Sequence, residues 1–218
     1  MADTTVADKS QEQGGLIGKE EVKLLKDPLH SNNPITIQVL GICSALAVTG
    51  SVYKSLVMAV ALIFVCAMSS LIISLLRNSI PNSIRLIVQL LVIAGLVQIV
   101  EITLGAFAYK AYVELSVFIG LIITNCIVMG RLEAFAMGNR PWQSFLDGIG
   151  NGIGYGWILV AMAVVREIFG KGTFMGWPVM PESYVANNLM VLPASSLFVI
   201  GVFIWIQRAL DPSLVDKS

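Results

Sequence analysis

The sequence predicts an all-α integral membrane protein with six transmembrane segments. They form an inverted 3+3 repeat whose first and fourth members are irregular or half helices. Three observations predict this: the composition, the charge-free runs, and a likeness between the two halves. Of 218 residues, 56% are hydrophobic before any of the 19 glycines is counted, and 13% are charged. Soluble domains average about 45–50% apolar with glycine included, and about 25% charged. A water-soluble globule of this size cannot hide so much apolar surface. The 14 basic and 14 acidic residues cancel, so no excess charge points to nucleic acid.

No Asp, Glu, Lys or Arg interrupts residues 28–53, 55–76, 86–100, 115–130, 148–165 or 183–207. A helix crossing the hydrocarbon needs about 20 residues, with a range of about 17–25. The second and sixth runs meet this easily, and the fifth is long enough as it stands. The third reaches it by carrying Glu101 near its end. The first and fourth are irregular, studded with Thr36, Gln38, Ser44 and Thr49, and with Thr124 and Asn125.

The segments follow in order. Residues 1–33 form a polar tail without the n-region, h-region and cleavage site of a signal peptide. Within it, residues 18–26 have the pattern of a short amphipathic interfacial turn, or of a loosely docked tail. Asn33-Pro34 is an N-cap followed by proline at the first helical position, which opens the first span. Ile80-Pro81-Asn82-Ser83 punctuates the second and third spans. The membrane domain covers 34–209, with repeat halves of about 34–108 and 112–208, and 210–218 form the C-terminal tail. Ten of the 14 Lys and Arg residues then share the side of both termini. Only Lys54, Lys110, Arg166 and Lys171 fall opposite. By the positive-inside rule both termini are cytoplasmic. Tyr53, Tyr109, Tyr112 and Trp142, Trp157, Trp177 and Trp205 read as interfacial belt residues.

Each half opens with an irregular segment carrying one cysteine, Gly41-Ile42-Cys43-Ser44 and Thr124-Asn125-Cys126-Ile127. Three spans per half makes the second half enter from the opposite side. Inverted repeats build their sites near the midplane from broken helices, and non-helical backbone at that depth needs protein or a cavity around it. Cys43 and Cys126 are thereby expected to approach one another. Two buried thiols acting as small hydrophobes are the ordinary reading. Iron–sulfur ligation is the alternative, and it needs four thiolates, so a second subunit would supply the other pair. Cys66, mid-span, reads as lipid-facing or as packing filler.

Asn32-Asn-Pro-Ile-Thr-Ile-Gln-Val-Leu-Gly-Ile-Cys-Ser-Ala-Leu-Ala-Val48, Arg77-Asn-Ser-Ile-Pro-Asn-Ser-Ile-Arg85, Leu121-Ile-Ile-Thr-Asn-Cys-Ile-Val-Met-Gly-Arg-Leu-Glu-Ala-Phe-Ala136 and Asp147-Gly-Ile-Gly-Asn-Gly-Ile-Gly-Tyr-Gly156 closely resemble the D-type subunit family of the Na+-translocating NADH:quinone reductase. The resemblance runs from Asn32 to Arg208. The sister family is the E-type subunit of the Rnf/Rsx ferredoxin:NAD oxidoreductase. The sequence departs from it in Cys-Ser-Ala-Leu, in Gly-Asn-Gly-Ile-Gly-Tyr-Gly and in a shorter loop before the last span.

The resemblance implies a six-subunit complex in the bacterial inner membrane that oxidises NADH, reduces ubiquinone and exports Na+. It implies a homologous E-type subunit of opposite topology, with each of the two subunits giving two cysteines to a shared [2Fe–2S] cluster. The matching positions are Cys43 and Cys126, and Cys66 matches no ligand. NADH and flavins fall to other subunits. Consistent with this, the chain lacks a Gly-x-Gly-x-x-Gly fingerprint and a Ser/Thr-Gly-Ala-Thr flavin-attachment stretch. An Rnf-type subunit and a non-redox inverted-repeat transporter are the competing readings.

Gly148, Gly152 and Gly156 line one helix face, and Gly150 and Gly154 another, the spacing of close helix packing. Leucine at 152 is expected to push helices apart, and alanine to be mild. Glu101, near the end of the third span, and Asp147, opening the fifth, are candidate ion-route acids, because carboxylates at membrane depth are costly. The competing reading places both at the interface, with water or a basic neighbour. Glu133 is expected to pair locally with Arg131. His30, in the polar tail, reads as solvated.

Overall fold

The computed structural model describes residues 33–81, 84–107, 109–174, 177–178 and 192–210, together with Leu25, Pro28 and Met190. Apart from Leu25, the amphipathic stretch at 18–26 lies outside the described residues, as do His30 and the tail at 211–218.

Seven α-helices are described. Helix α1 is Ile42–Val48, α2 Val52–Leu76, α3 Arg85–Phe107, α4 Tyr109–Ile123, α5 Cys126–Arg131, α6 Pro141–Lys171 and α7 Ser195–Leu210. Leu132–Ala136 continue α5 as one π-helical turn. A small hairpin, β1 Thr173–Phe174 against β2 Trp177–Pro178, is the one strand pairing among the described residues. Four stretches are long and apolar enough to cross a membrane: Val52–Leu76, Arg85–Phe107, Phe118–Ala136 and Pro141–Gly170.

The first segment departs most from a spanning helix. Asn33 caps as its sequence position predicts, its Oδ1 accepting from Ile35 N (3.0 Å) and Thr36 N (3.5 Å). Only a turn follows, closed by Leu40 N donating to Pro34 O at 2.8 Å. Val39 and Gly41 then take φ of +58° and +78°. Left-handed backbone cannot propagate a right-handed helix, so α1 begins afresh at Ile42. At the other end, the sixth run forms a helix of 16 residues, about 24 Å at 1.5 Å per residue. The rest of that run falls mainly among undescribed residues.

The centre of the fold is the antiparallel pair of α2 and α6. A Cβ on Gly148 would stand 2.8 Å from Ala67 Cα, one on Gly152 2.9 Å from Ile63 Cα, and one on Gly156 3.0 Å from Ala59 Cβ. These glycines therefore seat α6 directly on the α2 backbone, the close approach that small residues permit. The expectation that alanine at 152 is mild is corrected: its methyl meets main chain, which cannot swing aside as a flexible side-chain tip can. Gly154 faces elsewhere, where a Cβ would stand 2.5 Å from Pro28 O, and Asn33 Nδ2 donates to Gly154 O at 3.2 Å. Cys66 is fully buried beside Gly148. It is packing and not lipid-facing.

Two further expectations are corrected. The fifth span begins at Pro141, so Asp147 sits more than a turn inside α6 and does not open it. Trp157 lies at the middle of α6 and is 65% exposed, not at a span end. Trp142 and Trp205, near helix ends, are exposed as belt residues are.

Candidate functional site

Two interruptions of regular helix meet against α6, and each leads into a short helix with a cysteine in its first two residues. In the first, Gly41 precedes α1 with no side-chain cap. Its φ of +78° and the space around it both demand glycine, because a Cβ would stand 2.6 Å from Ile127 Cδ1 and 3.1 Å from Tyr155 Cε2. In the second, Asn125 is extended and fully buried, and its Oδ1 accepts from Ile127 N at 3.1 Å to cap α5. A buried helix start needs such a partner for its free N–H groups.

The breaks are tied to one another through a single hydroxyl. Ser44 Oγ donates to Gly41 O (2.9 Å), Asn125 Nδ2 donates to Ser44 Oγ (3.1 Å), and Tyr155 OH lies 2.7 Å from the same oxygen. Ser44, Asn125 and Tyr155 are all fully buried. The neighbouring cysteines, Cys43 and Cys126, are free and exposed, and their thiols lie near enough to influence one another electrostatically. The structure thus brings the two together and leaves Cys66 apart, buried between α2 and α6.

This arrangement is suited to a soft metal. Two neighbouring exposed thiols could supply two thiolates to such a metal. Among the described residues, no group of three or more His, Cys, Asp or Glu could hold a metal ion. The pair amounts to half of the four thiolates that an iron–sulfur cluster needs.

The acids stand in unlike surroundings. Asp147 is 2% exposed and is held bidentately by Arg131, with Nε to Oδ2 at 2.9 Å and Nη2 to Oδ1 at 2.5 Å. Asn151 Nδ2 adds a bond to Asp147 Oδ1 at 3.0 Å. The expected Arg131–Glu133 pair is corrected accordingly. Glu133 lies on the π-helical turn and pairs across to Arg85 and Gln89 on α3. The pairing follows from geometry: Arg131 turns inward to α6 and also covers the Phe135 ring at 5.4 Å. Glu101 is near the far end of α3, half-buried, lining a cavity of about 270 Å³ with Gln98, Tyr109 and Tyr112. The structure does not bring Glu101 and Asp147 together.

At the opposite end of α6, Arg166 and Glu167 are buried at 3% and 4% exposure. Arg166 Nη1 donates to Thr49 Oγ1 at 2.5 Å, and Glu167 Oε2 accepts from Val52 N at 2.6 Å. They hold the corner where α1 gives way to α2. Sequence reading missed this clamp and the Ser44–Asn125–Tyr155 network. The polar residues beside each cysteine were the available signal for the network; Tyr155, surrounded by glycines, gave none.

With this geometry in place, comparison with known proteins is specific. The family model described as Rnf-Nqr subunit, membrane protein, matches residues 21–204. The chain is 53% identical over 205 residues to the D-type subunit of the Na(+)-translocating NADH-quinone reductase of Shewanella halifaxensis, covering 92% of this chain and 98% of that one. It is also 53% identical over 204 residues to the D-type subunit of the same reductase in Aeromonas salmonicida, covering 91% and 97%. Both comparisons span the two breaks and all four long apolar stretches, and the chain belongs to the Rnf-Nqr family of membrane-protein subunits.

Proposed function

We propose that this chain is the D-type membrane subunit of a Na+-translocating NADH:quinone reductase. In this reading it sits in the bacterial inner membrane with both termini cytoplasmic, beside a homologous E-type subunit of the same six-subunit complex. Cys43 and Cys126 give two of the four thiolates of a [2Fe–2S] centre, and the partner gives the others. Such a centre, when bound, carries one electron at a time across the membrane-embedded part of the complex. NADH and the flavins are held elsewhere.

The observation that carries this reading is the pair of neighbouring, exposed thiols, one in the first two residues of each cysteine-bearing short helix. A packing role would bury both, as Cys66 is buried. The antiparallel seat of α6 on α2 supports the six-span inverted repeat, since the second spans of two inverted halves cross in that sense. In this reading α1 and α5 are the half helices, and α3 and α7 close each half. The chain's own part is to hold two sulfurs at a fixed separation in a low-dielectric, protein-walled place. The buried amides and hydroxyls around them limit rearrangement when charge arrives.

The test is iron analysis of the intact purified complex with Cys43→Ser, read beside NADH-driven quinone reduction and Na+ export. Iron is expected to fall and both activities to be lost together. Full iron with normal quinone reduction would overturn the proposal.

A further inference from the structure

We propose that Tyr155 is a positioning residue for the cysteine pair, acting through the Ser44 hydroxyl to fix both breaks to α6; this rests on reading Cys43 and Cys126 as ligands. The hydrogen-bonding capacity of the hydroxyl assigns the directions. A serine hydroxyl has one proton and two acceptor sites. Ser44 spends its proton on Gly41 O at 2.9 Å, so Asn125 Nδ2 at 3.1 Å and Tyr155 OH at 2.7 Å fill the two acceptor sites as donors. Ser44 Oγ is then saturated.

This one oxygen joins three pieces of chain. Through Gly41 O it closes the turn before α1. Through Asn125, whose Oδ1 caps α5 at Ile127 N, it reaches the second break. Through Tyr155 it reaches α6, whose glycine face is seated on the α2 backbone. Tyr155 is fully buried with its ring edge against Gly41, so its hydroxyl has little freedom to go elsewhere. The two anchored residues, Ser44 and Asn125, are the immediate chain neighbours of Cys43 and Cys126.

The coupling to the sulfur runs through the chain, because Ser44 directly follows Cys43 and Asn125 directly precedes Cys126. Groups that orient a ligand tune the centre that the ligand serves. Removing the Tyr155 hydroxyl leaves Ser44 its other two bonds but frees the residue from α6, so the Cys43 sulfur is held less firmly and the potential shifts.

The experiment uses the intact complex carrying Tyr155→Phe, Ser44→Ala and the two together. Each is read by iron content, low-temperature EPR and redox titration of the centre. Tyr155→Phe is expected to keep its iron, broaden the signal and shift the midpoint potential. Ser44→Ala should shift it further in the same direction, and the double variant should match Ser44→Ala, since residues acting through one another are non-additive. An unchanged signal and potential in Tyr155→Phe, or additive shifts, would overturn the inference. So would iron lost from Tyr155→Phe and kept in Ser44→Ala. Failure of the underlying reading looks different: iron and signal would survive Cys43→Ser.

Discussion

The two cysteine-bearing breaks reach the same result with different chemistry. The first is made by backbone: left-handed Val39 and Gly41, then a seven-residue helix with no side-chain cap. The second is made by a side chain, Asn125, which caps α5 while its own backbone stays extended. Their outer anchors differ too. The α1 end is held by Arg166 on Thr49, a charge on a neutral hydroxyl, whereas α5 is held by the ion pair of Arg131 with Asp147. Both anchors are on α6. The comparison teaches that the spacing of the cysteines is set by a third element and not by either break alone.

The most damaging test attacks what the breaks share. Gly152→Leu should abolish assembly of the complex. Gly152→Ala, with its methyl 2.9 Å from Ile63 Cα, should also lower the yield of complex, as size-exclusion chromatography would show. Wild-type yield from the leucine variant would mean that α6 is not the common support.

Next come the unlike anchors. Arg131→Met leaves Asp147 a buried, uncompensated carboxylate, a loss of about 3–5 kcal/mol. Adding Asp147→Asn should recover much of it, because both charges are then gone. Thr49→Val removes the bond to the charged Arg166, worth about 1.5–3 kcal/mol, along with the Thr49 Oγ1 bond to Ala45 O. Thermal unfolding in detergent compares the two, and equal losses would erase the distinction drawn between the anchors.

The breaks themselves differ less. Gly41→Ala imposes about 1–2 kcal/mol for left-handed backbone and adds the collision with Ile127. Asn125→Ala removes a cap worth about 0.5–2 kcal/mol. The same unfolding assay should rank Gly41→Ala as the worse, and the reverse order would contradict a backbone-made first break.

Much of this was legible in the sequence. Long apolar runs without charge gave α2, α3 and α6, because burial in lipid acts on every residue of a span. Ser44 and Asn125, polar in apolar runs, marked both breaks. The partner of Asp147 was not legible: Arg131 is two residues from Glu133 and sixteen from Asp147 in sequence, and only the inward turn of α5 decides between them. Nor was the shortness of α1, since Asn33-Pro34 is a sound helix start that left-handed Val39 and Gly41 then stop. Nor was the place of Trp157, because the charge-free run starts at Gly148 whereas α6 starts at Pro141, which moves Trp157 to the middle of the helix.

The central claim is that one thiol from each break serves one shared iron centre. Low-temperature EPR of the NADH-reduced, intact complex tests it most directly, comparing Cys43→Ser, Cys126→Ser and Cys66→Ser. The account predicts that the iron–sulfur signal and its iron vanish equally from the first two variants. Both should persist in Cys66→Ser, whose sulfur is buried between α2 and α6. A signal that survives either Cys43→Ser or Cys126→Ser unchanged, or one that depends on Cys66, would contradict it.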